Sequence, residues 1–337
     1  HFEAYYRNIA TSQAKFVCHE CENVWTDKDR DKAVQNGNPV MIRGDYTTAE
    51  SVCVKVDSMV SPLVPLKDLV RTWVSVEHDP ELTRKFYVGW LAKVWEQDQI
   101  GTKSDELLKL KNGIEEGVVP NKTAFITMTV DVQLDHFFVM LVAHKYGNTQ
   151  HIMRYGRVET WVDLESILQS KFVGEDGSQH GVTVAAVDAG YRTSEVYEFC
   201  AMYSDICIPI KGANTEHAPE WVVRYVENDI NGQKVQTGMK RYDLNSAYYK
   251  GRAHAKFTRS IMAVEENDLS KNNLLSFHKD TGGMLADQLL SEMYFTKDAP
   301  CLWSKKSGWQ KKTAHAQNHL FDTFCDALFL ARLGNLE

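Results

Sequence analysis

Long hydrophobic runs are absent from this chain of 337 residues. No stretch reaches the roughly 18 apolar residues that a membrane-spanning helix requires, so we expect no membrane partner. The start, H-F-E-A-Y-Y-R, has no signal-peptide pattern and no initiator Met, which indicates a fragment, a processed chain or a tag remnant. Hydrophobic residues make up 43% and charged residues 25%, a composition typical of a soluble globular protein with one large or two ordinary domains.

Several enzyme signatures are missing as well. The chain has no G-x-x-x-x-G-K-[ST], which excludes a P-loop ATPase within it, and no G-x-G-x-x-G follows a predicted strand. Neither G-x-S-x-G nor H-E-x-x-H is present. An excess of positive charge is also absent, because the net charge of −7 argues against a general polyanion binder. A nucleic-acid enzyme stays compatible, since an acidic metal site adds negative charge and a basic groove can be local.

Cysteine is scarce and odd in number. The seven cysteines lie mostly in apolar surroundings, which favours a reducing cytoplasm over a secreted disulfide framework. Cys18 and Cys21 form a C-x-x-C pair, which is half of a zinc-ribbon pattern. Zinc takes four ligands, so His1, His19, Cys53 or residues upstream must complete the site. The alternative is a knuckle turn without metal.

The pattern of the chain changes near residue 120. Residues 1 to about 60 are polar and irregular, and the helical spacing that follows predicts helices at Leu66–Val76 and Pro80–Trp95. Ser104–Glu116 is a charged helix or linker. We therefore predict an N-terminal segment, residues 1–119, that is mostly helical or irregular, and a domain at residues 120–337.

The second domain begins with three successive strands and continues with alternating helices and strands, which predicts a mixed α/β sheet flanked by helices. The predicted strands are Ala124–Val132, Phe137–Tyr146, His151–Val158, Val182–Val187, Ile206–Ile210 and Leu274–His278. The predicted helices are Asp163–Lys171, Thr193–Met202, Asn245–Ala263, Met284–Met293 and His315–Leu333. A polar segment up to about residue 242 has no predicted element.

An acid closes the first predicted strand of this domain. In Ala124–Val132, the residues Ile126, Met128 and Val130 fall on one face at the period-2 spacing of a strand, and Asp131 falls on the other. A carboxylate in a run suited to burial needs a partner, a metal ion or a raised pKa. We interpret Asp131 as a metal ligand, and a turn or capping acid is the alternative.

Further acids occupy comparable places. Asp188 follows the apolar run V-T-V-A-A-V, and Asp322 lies on H-L-F-D-T-F-C-D-A-L-F-L-A, a helix so apolar on all sides that we expect it to be buried. His319, Asp322 and Asp326 share one face of it. Converging carboxylates repel one another unless a cation neutralises them, and hard oxygen ligands suit Mg²⁺ or Mn²⁺. The alternatives are a turn role for the first acid and ion pairs for the helical acids, with Arg192, Arg252 or Lys256.

Six segments occur in an order typical of one family. They are F-V-C-H-E-C (16–21), F-Y-V-G-W-L-A-K-V-W-E (86–96), V-P-N-K-T-A-F-I-T-M-T-V-D-V-Q-L-D (119–135), V-D-A-G-Y-R-T (187–193), I-P-I-K-G-A (208–213) and N-H-L-F-D-T-F-C-D-A-L (318–328). With these segments the chain resembles the nuclease part of bacteriophage large terminase subunits of the lambda type. The cysteine segment resembles one half of the family's cysteine-rich module.

The resemblance implies an RNase H-like nuclease fold of the RuvC type. It implies that three acids hold two Mg²⁺ or Mn²⁺ ions, and these acids correspond to Asp131, Asp188 and Asp322. Two such ions activate water and stabilise the leaving oxygen in phosphodiester cleavage. Lys211 then contacts phosphate or orients a catalytic carboxylate, and either His319 or Asp326 completes the second metal site.

The implied function is a metal-dependent endonuclease that cuts concatemeric viral DNA when packaging starts and ends. Its implied partners are double-stranded DNA, the small terminase subunit and the portal of the procapsid, in the host cytoplasm. Candidate DNA-binding residues are Lys305, Lys306, Lys311, Lys312 and Arg192, and a solvated basic loop is the alternative. Two other functions stay open: an RNase H-like nuclease of the resolvase or transposase type, and a non-catalytic packaging or portal-docking module.

A zinc site at Cys18 and Cys21 predicts stoichiometric zinc in the purified chain, because four-coordinate structural sites hold the metal tightly. Elemental analysis of the protein measures this directly. A chain that carries no zinc contradicts the site and leaves the knuckle turn without metal.

Overall fold

A computed structural model describes residues 16–17, 23–37, 56–76, 80–93, 103–213, 219–230, 233–295 and 300–334. The chain divides into two compact units, His1–Asp98 and Gln99–Glu337. The candidate zinc ligands Cys18 and Cys21 lie outside the described residues, as do His1, His19 and Cys53. The domain boundary near residue 120 stays a prediction, and Leu107 and Leu110, which precede it, pack in the core of the second unit.

The described part of the first unit is mainly helical. Its elements are β1 (Phe16–Val17), β2 (Val24–Trp25), α1 (Asp27–Asn36), α2 (Leu66–Val76) and α3 (Pro80–Gly89). Helix α2 has the predicted bounds and buries the residues at i, i+3, i+4 and i+7 of its apolar stripe. Helix α3 starts as predicted but ends at Gly89 instead of continuing to Trp95, in keeping with the low helix propensity of glycine.

The second unit is built on a mixed sheet of eight strands in the order β10-β11-β9-β8-β3-β4-β5-β12. These strands are β3 (Thr123–Val132), β4 (Phe137–Lys145), β5 (Thr149–Val158), β8 (Val184–Asp188), β9 (Cys207–Ala213), β10 (Trp221–Ile230), β11 (Gln233–Asn245) and β12 (Leu275–Phe277). β3, β8, β9 and β11 run parallel to one another, whereas β4 runs antiparallel to β3 and β5. Two short hairpins, β6 (Lys171–Val173) with β7 (Gln179–Gly181) and β13 (Glu292–Phe295) with β14 (Gly308–Lys311), complete the strands.

Helices cover both faces of the large sheet. They are α4 (Ser104–Leu107), with a 3-10 turn at Leu108–Leu110, α5 (Trp161–Gln169), α6 (Thr193–Met202), α7 (Ser246–Glu265), α8 (Gly283–Leu289) and α9 (His319–Leu333). One core joins one face of the sheet to α5 and α6, and the other core joins the opposite face to α7, α8 and α9. The predicted mixed sheet with flanking helices is confirmed. None of the described helices is long and apolar enough to cross a membrane.

Most predicted elements lie within a few residues of the observed ones, and α6 has the predicted bounds. Helix α5 begins two residues earlier than predicted, because Thr160 caps it and Asp163 completes the capping box from its third position. Helix α9 begins at His319, four residues later than predicted, with Asn318 at its N-cap position. The charged segment from Ser104 forms only the one-turn helix α4 and the 3-10 turn.

Two predictions were wrong. The polar segment before residue 242 contains the hairpin of β10 and β11, whose described side chains are mostly exposed or half-buried and therefore lack the alternation that marks a strand. Met284–Met293 was predicted as one helix, but α8 ends at Leu289 and β13 begins at Glu292. Short apolar runs do not distinguish a buried helix from a buried strand.

Helix α9 contributes many buried side chains to the core that it shares with α7 and α8. Truncating one of its aromatic side chains therefore tests how much this packing stabilises the fold. Phe324 is fully buried and its ring stacks on that of Phe257, with centroids 5.6 Å apart. We expect Phe324→Ala to lower the free energy of unfolding by about 3–5 kcal/mol, since it removes buried area and leaves a cavity. Urea denaturation measures the loss. Leu333→Ala, at a 37% exposed position of the same helix, is the control, and equal midpoints for both variants would contradict the packing.

Candidate metal and catalytic site

Asp131 and Asp188 lie next to each other at the carboxyl ends of the neighbouring strands β3 and β8. We call this end of the sheet the acidic edge. Strands β3 and β8 are parallel neighbours in which Val130 pairs with Val187, so the following residues, Asp131 and Asp188, emerge together from the carboxyl ends of the strands. Asp131 is 8% exposed. The backbone N–H of Gly190 donates to Asp188 Oδ1 at 3.0 Å, which fixes the turn after β8. Strand order therefore brings the two acids together.

Helix α9 packs against β3, β4 and β8 and closes this edge. The Nδ1 atom of His319 lies 2.7 Å from Asp131 Oδ2, and its ring stacks on Phe138 with centroids 4.5 Å apart. The same oxygen accepts a hydrogen bond of 2.9 Å from Gln133 Nε2. His319 thus belongs to the site, and its contact with Asp131 joins the first strand to the last helix.

Burial and mutual repulsion raise the pKa values of the acids around this edge. Burial first, and then the charge of Asp131, raise the pKa of Asp188 to about 6. Burial also raises the pKa of Asp322 to about 6, against an opposing effect of Lys250. The pKa of Asp326 is raised well above its usual value, first by burial and then by Asp188, Asp322 and Asp131. These carboxylates therefore influence one another electrostatically, and their role as metal ligands stays a prediction.

Three further residues belong to this neighbourhood although the sequence did not single them out. Lys250 of α7 pairs with Glu292 at 2.7 Å and with Asp322 at 3.4 Å. Asn318 donates from Nδ2 to both acids. Glu292 is 4% exposed and lies in the apolar segment L-L-S-E-M-Y-F. An acid inside such a run was the available signal, and the incorrect helix prediction over Met284–Met293 concealed it.

Lys211 is also at this edge. It lies within β9, one residue beyond the pairing of Ile210 with Asp188, and not in a turn after the strand as its sequence indicated. Its positive charge partly opposes the rise in the pKa of Asp188. Lys211 is exposed, so its ammonium group is accessible to a ligand at the acidic edge.

Arg192 has a different environment. Its guanidinium pairs with Glu195 through two hydrogen bonds and lies over the rings of Phe137 and Trp161, at 5.2 and 5.4 Å from their centroids. Trp161 Nε1 donates to the same glutamate at 2.9 Å. The charge of Arg192 is therefore balanced by Glu195, and a role of this arginine in DNA binding stays a prediction.

The predicted basic loop is largely exposed. Lys305 and Lys306 lie on the exposed connection before β14, Lys311 ends β14, and Lys312 follows it. Lys311 pairs in register with Glu292 of β13, so this hairpin is attached to the neighbourhood of Asp322. Trp309 packs inwards, with its ring centroid 4.9 Å from that of His254 and 6.5 Å from that of Phe321.

The acidic cluster matches a metal site in its donors but not in its geometry. Within the described ranges, no three His, Cys, Asp or Glu side chains surround one point closely enough to coordinate an ion. The donor chemistry nevertheless fits Mg²⁺ or Mn²⁺, which take carboxylate oxygens and retain waters. Burial is the largest cause of the raised pKa values of Asp188, Asp322 and Asp326, and repulsion from neighbouring carboxylates adds to it. A cation would relieve this repulsion.

The fold and this cluster define an α/β protein with carboxylates gathered at the carboxyl ends of adjacent parallel strands. Residues 51–337 match the family model described as terminase large subunit gpA, endonuclease domain, and the chain belongs to this family. The terminase large subunit of Escherichia phage lambda is 22% identical over 218 residues, which are 62% of this chain and 33% of that protein. The chain therefore matches about a third of the length of this relative. The resemblance inferred from the motifs is confirmed.

The raised pKa of Asp188 predicts how stability depends on pH without metal. Its folded value of about 6 exceeds the ordinary 3.8, so the folded chain binds more protons between these values. Stability should therefore fall as the pH rises from about 4 to above 6. In EDTA, Asp188→Asn should lose this contribution, so its free energy of unfolding should rise relative to wild type across that window. Urea denaturation at several pH values measures the difference. A pH-independent difference would contradict the raised pKa.

Proposed function

We propose that this chain is a DNA endonuclease of viral genome packaging that requires a divalent cation and cuts concatemeric DNA at the start and end of packaging. The observation that carries the proposal is the gathering of Asp131, Asp188, Asp322 and Asp326 around one edge of a sheet, in a chain whose residues 51–337 match a terminase endonuclease family. We further propose that the sheet and its helices form an RNase H-like domain of the RuvC type, beginning near residue 120.

In this proposal Asp131, Asp188 and Asp322 would together hold two Mg²⁺ or Mn²⁺ ions. When bound, such ions activate water and stabilise the leaving oxygen of the phosphodiester. The chain's own groups hold the acids in place: His319 and Gln133 contact Asp131. The positive charge of the exposed Lys211 is available to a substrate phosphate at the same edge.

Asp326 and His319 are the two candidates for completing the second ion's coordination. Asp326 interacts electrostatically with Asp188, Asp322 and Asp131, whereas His319 already contacts Asp131 through Nδ1. Carboxylate oxygens are harder ligands than imidazole, and Mg²⁺ prefers them. We therefore favour Asp326 as the additional ligand and His319 as the group that orients Asp131.

We propose that DNA binding uses Lys305 and Lys306, which are exposed in the connection between β13 and β14. Lys311 at the end of β14 and Lys312 directly after it would contribute as well. Contacts with the phosphate backbone make binding depend on salt and only weakly on sequence. The small terminase subunit and the portal of the procapsid are the proposed partners, with the host cytoplasm as the location. Zinc at Cys18 and Cys21 also stays a proposal.

Plasmid cleavage tests the endonuclease. With Mn²⁺, the purified chain should nick supercoiled plasmid, and Asp131→Ala should cut at least about 100-fold more slowly, because losing several kcal/mol of charge stabilisation corresponds to a factor of that order or larger. Gel electrophoresis of the nicked and linear products measures the rate.

Asp135→Ala is the matched control for Asp131→Ala. Asp135 lies in the connection between β3 and β4, four residues beyond Asp131, but its side chain is 75% exposed and pairs with His136 at 2.7 Å. This control should cut at the wild-type rate. If wild type and Asp131→Ala leave the plasmid equally intact with both Mn²⁺ and Mg²⁺, the acids have a structural role and the non-catalytic packaging module becomes the better interpretation.

A further inference from the structure

Four polar side chains close a ring beside the acidic edge. Lys250 Nζ donates to Glu292 Oε2 at 2.7 Å and lies 3.4 Å from Asp322 Oδ1. Asn318 Nδ2 donates to Glu292 Oε1 at 2.7 Å and to Asp322 Oδ2 at 2.6 Å. Both oxygens of both carboxylates therefore have a partner inside the ring, which fixes the plane of each carboxylate relative to the other.

The ring joins three separate elements, and two of its four side chains are largely buried. Lys250 comes from α7, Glu292 from β13, and Asp322 from α9, with Asn318 directly before α9. The side chains of Lys250 and Glu292 are 13% and 5% exposed, whereas that of Asp322 is 38% exposed. The buried members thus support a carboxylate that is only partly exposed to solvent.

The donors in the ring point at the two carboxylates, and Asn318 does so instead of capping helix α9. Asn318 is at the N-cap position of α9, where a side chain commonly caps the helix, yet it makes no capping hydrogen bond. Its amide donates to the two carboxylates instead. Lys250 lies 5.9 Å from the centroid of the Phe321 ring, which confines its ammonium group next to Asp322. A buried salt bridge is weak evidence that its residues stabilise the fold, because the cost of removing both charges from water offsets much of their attraction.

We propose that Lys250 and Asn318 are positioning residues that orient Asp322 for binding a divalent cation, through their direct contacts with it and through the buried Glu292 that holds both of them. The inference rests on the proposed function, because it assigns Asp322 to the cation site. Groups that orient metal ligands from behind commonly change metal affinity by about 10–100-fold when they are removed. The ring also ties Asp322 to the hairpin that carries the loop lysines, since Glu292 pairs with Lys311 across β13 and β14.

The test measures Mn²⁺ binding to the full chain by titration calorimetry, beside plasmid nicking as a function of Mn²⁺ concentration. Lys250→Met keeps the length of the side chain but removes its charge, and it should weaken Mn²⁺ binding by about 10-fold or more. The Mn²⁺ concentration for half-maximal nicking should rise by a similar factor, while the rate at saturating Mn²⁺ falls less. Lys250→Arg, which restores a donor and a positive charge, should recover part of the affinity.

Asn318→Ala keeps the test decisive if Lys250→Met does not fold, because it removes two hydrogen bonds of the ring while leaving the Lys250–Glu292 pair. It should weaken Mn²⁺ binding in the same direction. Lys109→Met is the matched control, since Lys109 pairs with Glu265 at 3.4 Å with both side chains at least half exposed. The control should bind Mn²⁺ as wild type does.

The possible results separate this inference from the proposed function. If folded Lys250→Met and Asn318→Ala bind Mn²⁺ as tightly as wild type, the inference is overturned while nicking by wild type still supports the endonuclease. If wild type binds Mn²⁺ without cutting, the endonuclease is contradicted, and weaker binding by the variants still supports the ring. A wild-type chain that binds no Mn²⁺ overturns the inference and the metal site together.

Discussion

The burial of carboxylates at the carboxyl ends of β3 and β8, together with the repulsion between them, is the constraint that the second unit has to satisfy. Ionised acids that lose water need hydrogen-bond donors, positive charge or a proton, and the fold supplies each of these. Asp131 is contacted by Gln133 and His319, and Asp188 accepts a hydrogen bond from the backbone N–H of Gly190. Asp322 is contacted by Asn318 and Lys250. The donors come from strands, turns and helices that are distant in the sequence, so the acidic edge exists only once the unit has folded.

Helix α9 makes this arrangement possible because its apolar side chains compensate for the burial of its acids. Phe321, Phe324 and Phe329 are fully buried. Burying a large apolar side chain contributes about 1.5–3 kcal/mol, so several of them on one helix can offset the desolvation of Asp322 and Asp326. The same packing against β3, β4 and β8 sets the height of the acids along the sheet. Stability and the geometry of the site are therefore provided by the same contacts.

The sequence predicted the acids better than their partners. Asp131 and Asp188 stand out because each ends an apolar strand, and Asp322 and Asp326 because they interrupt an apolar helix; these are local signals. Lys250 and Glu292 meet across 42 residues, and their pairing depends on how α7 and β13 pack. No local pattern encodes that distance. The β10–β11 hairpin escaped prediction for the opposite reason, since an exposed edge hairpin does not need the apolar alternation by which strands are recognised.

The negative net charge of the chain and a DNA substrate are compatible once the acids are considered separately from the loop. Asp131, Asp188, Asp322 and Asp326 concentrate negative charge where a phosphate would have to approach, and at close range this repels DNA. The hairpin of β13 and β14 carries exposed lysines in its connection, and it joins the neighbourhood of Asp322 at its other end, where Glu292 pairs with Lys311. In the proposed endonuclease, long-range attraction by the loop and short-range repulsion by the acids would oppose each other until a cation neutralises the carboxylates. In the proposed endonuclease, cation binding thus both supplies the chemistry and permits the phosphate to enter, which couples metal loading to productive binding of DNA.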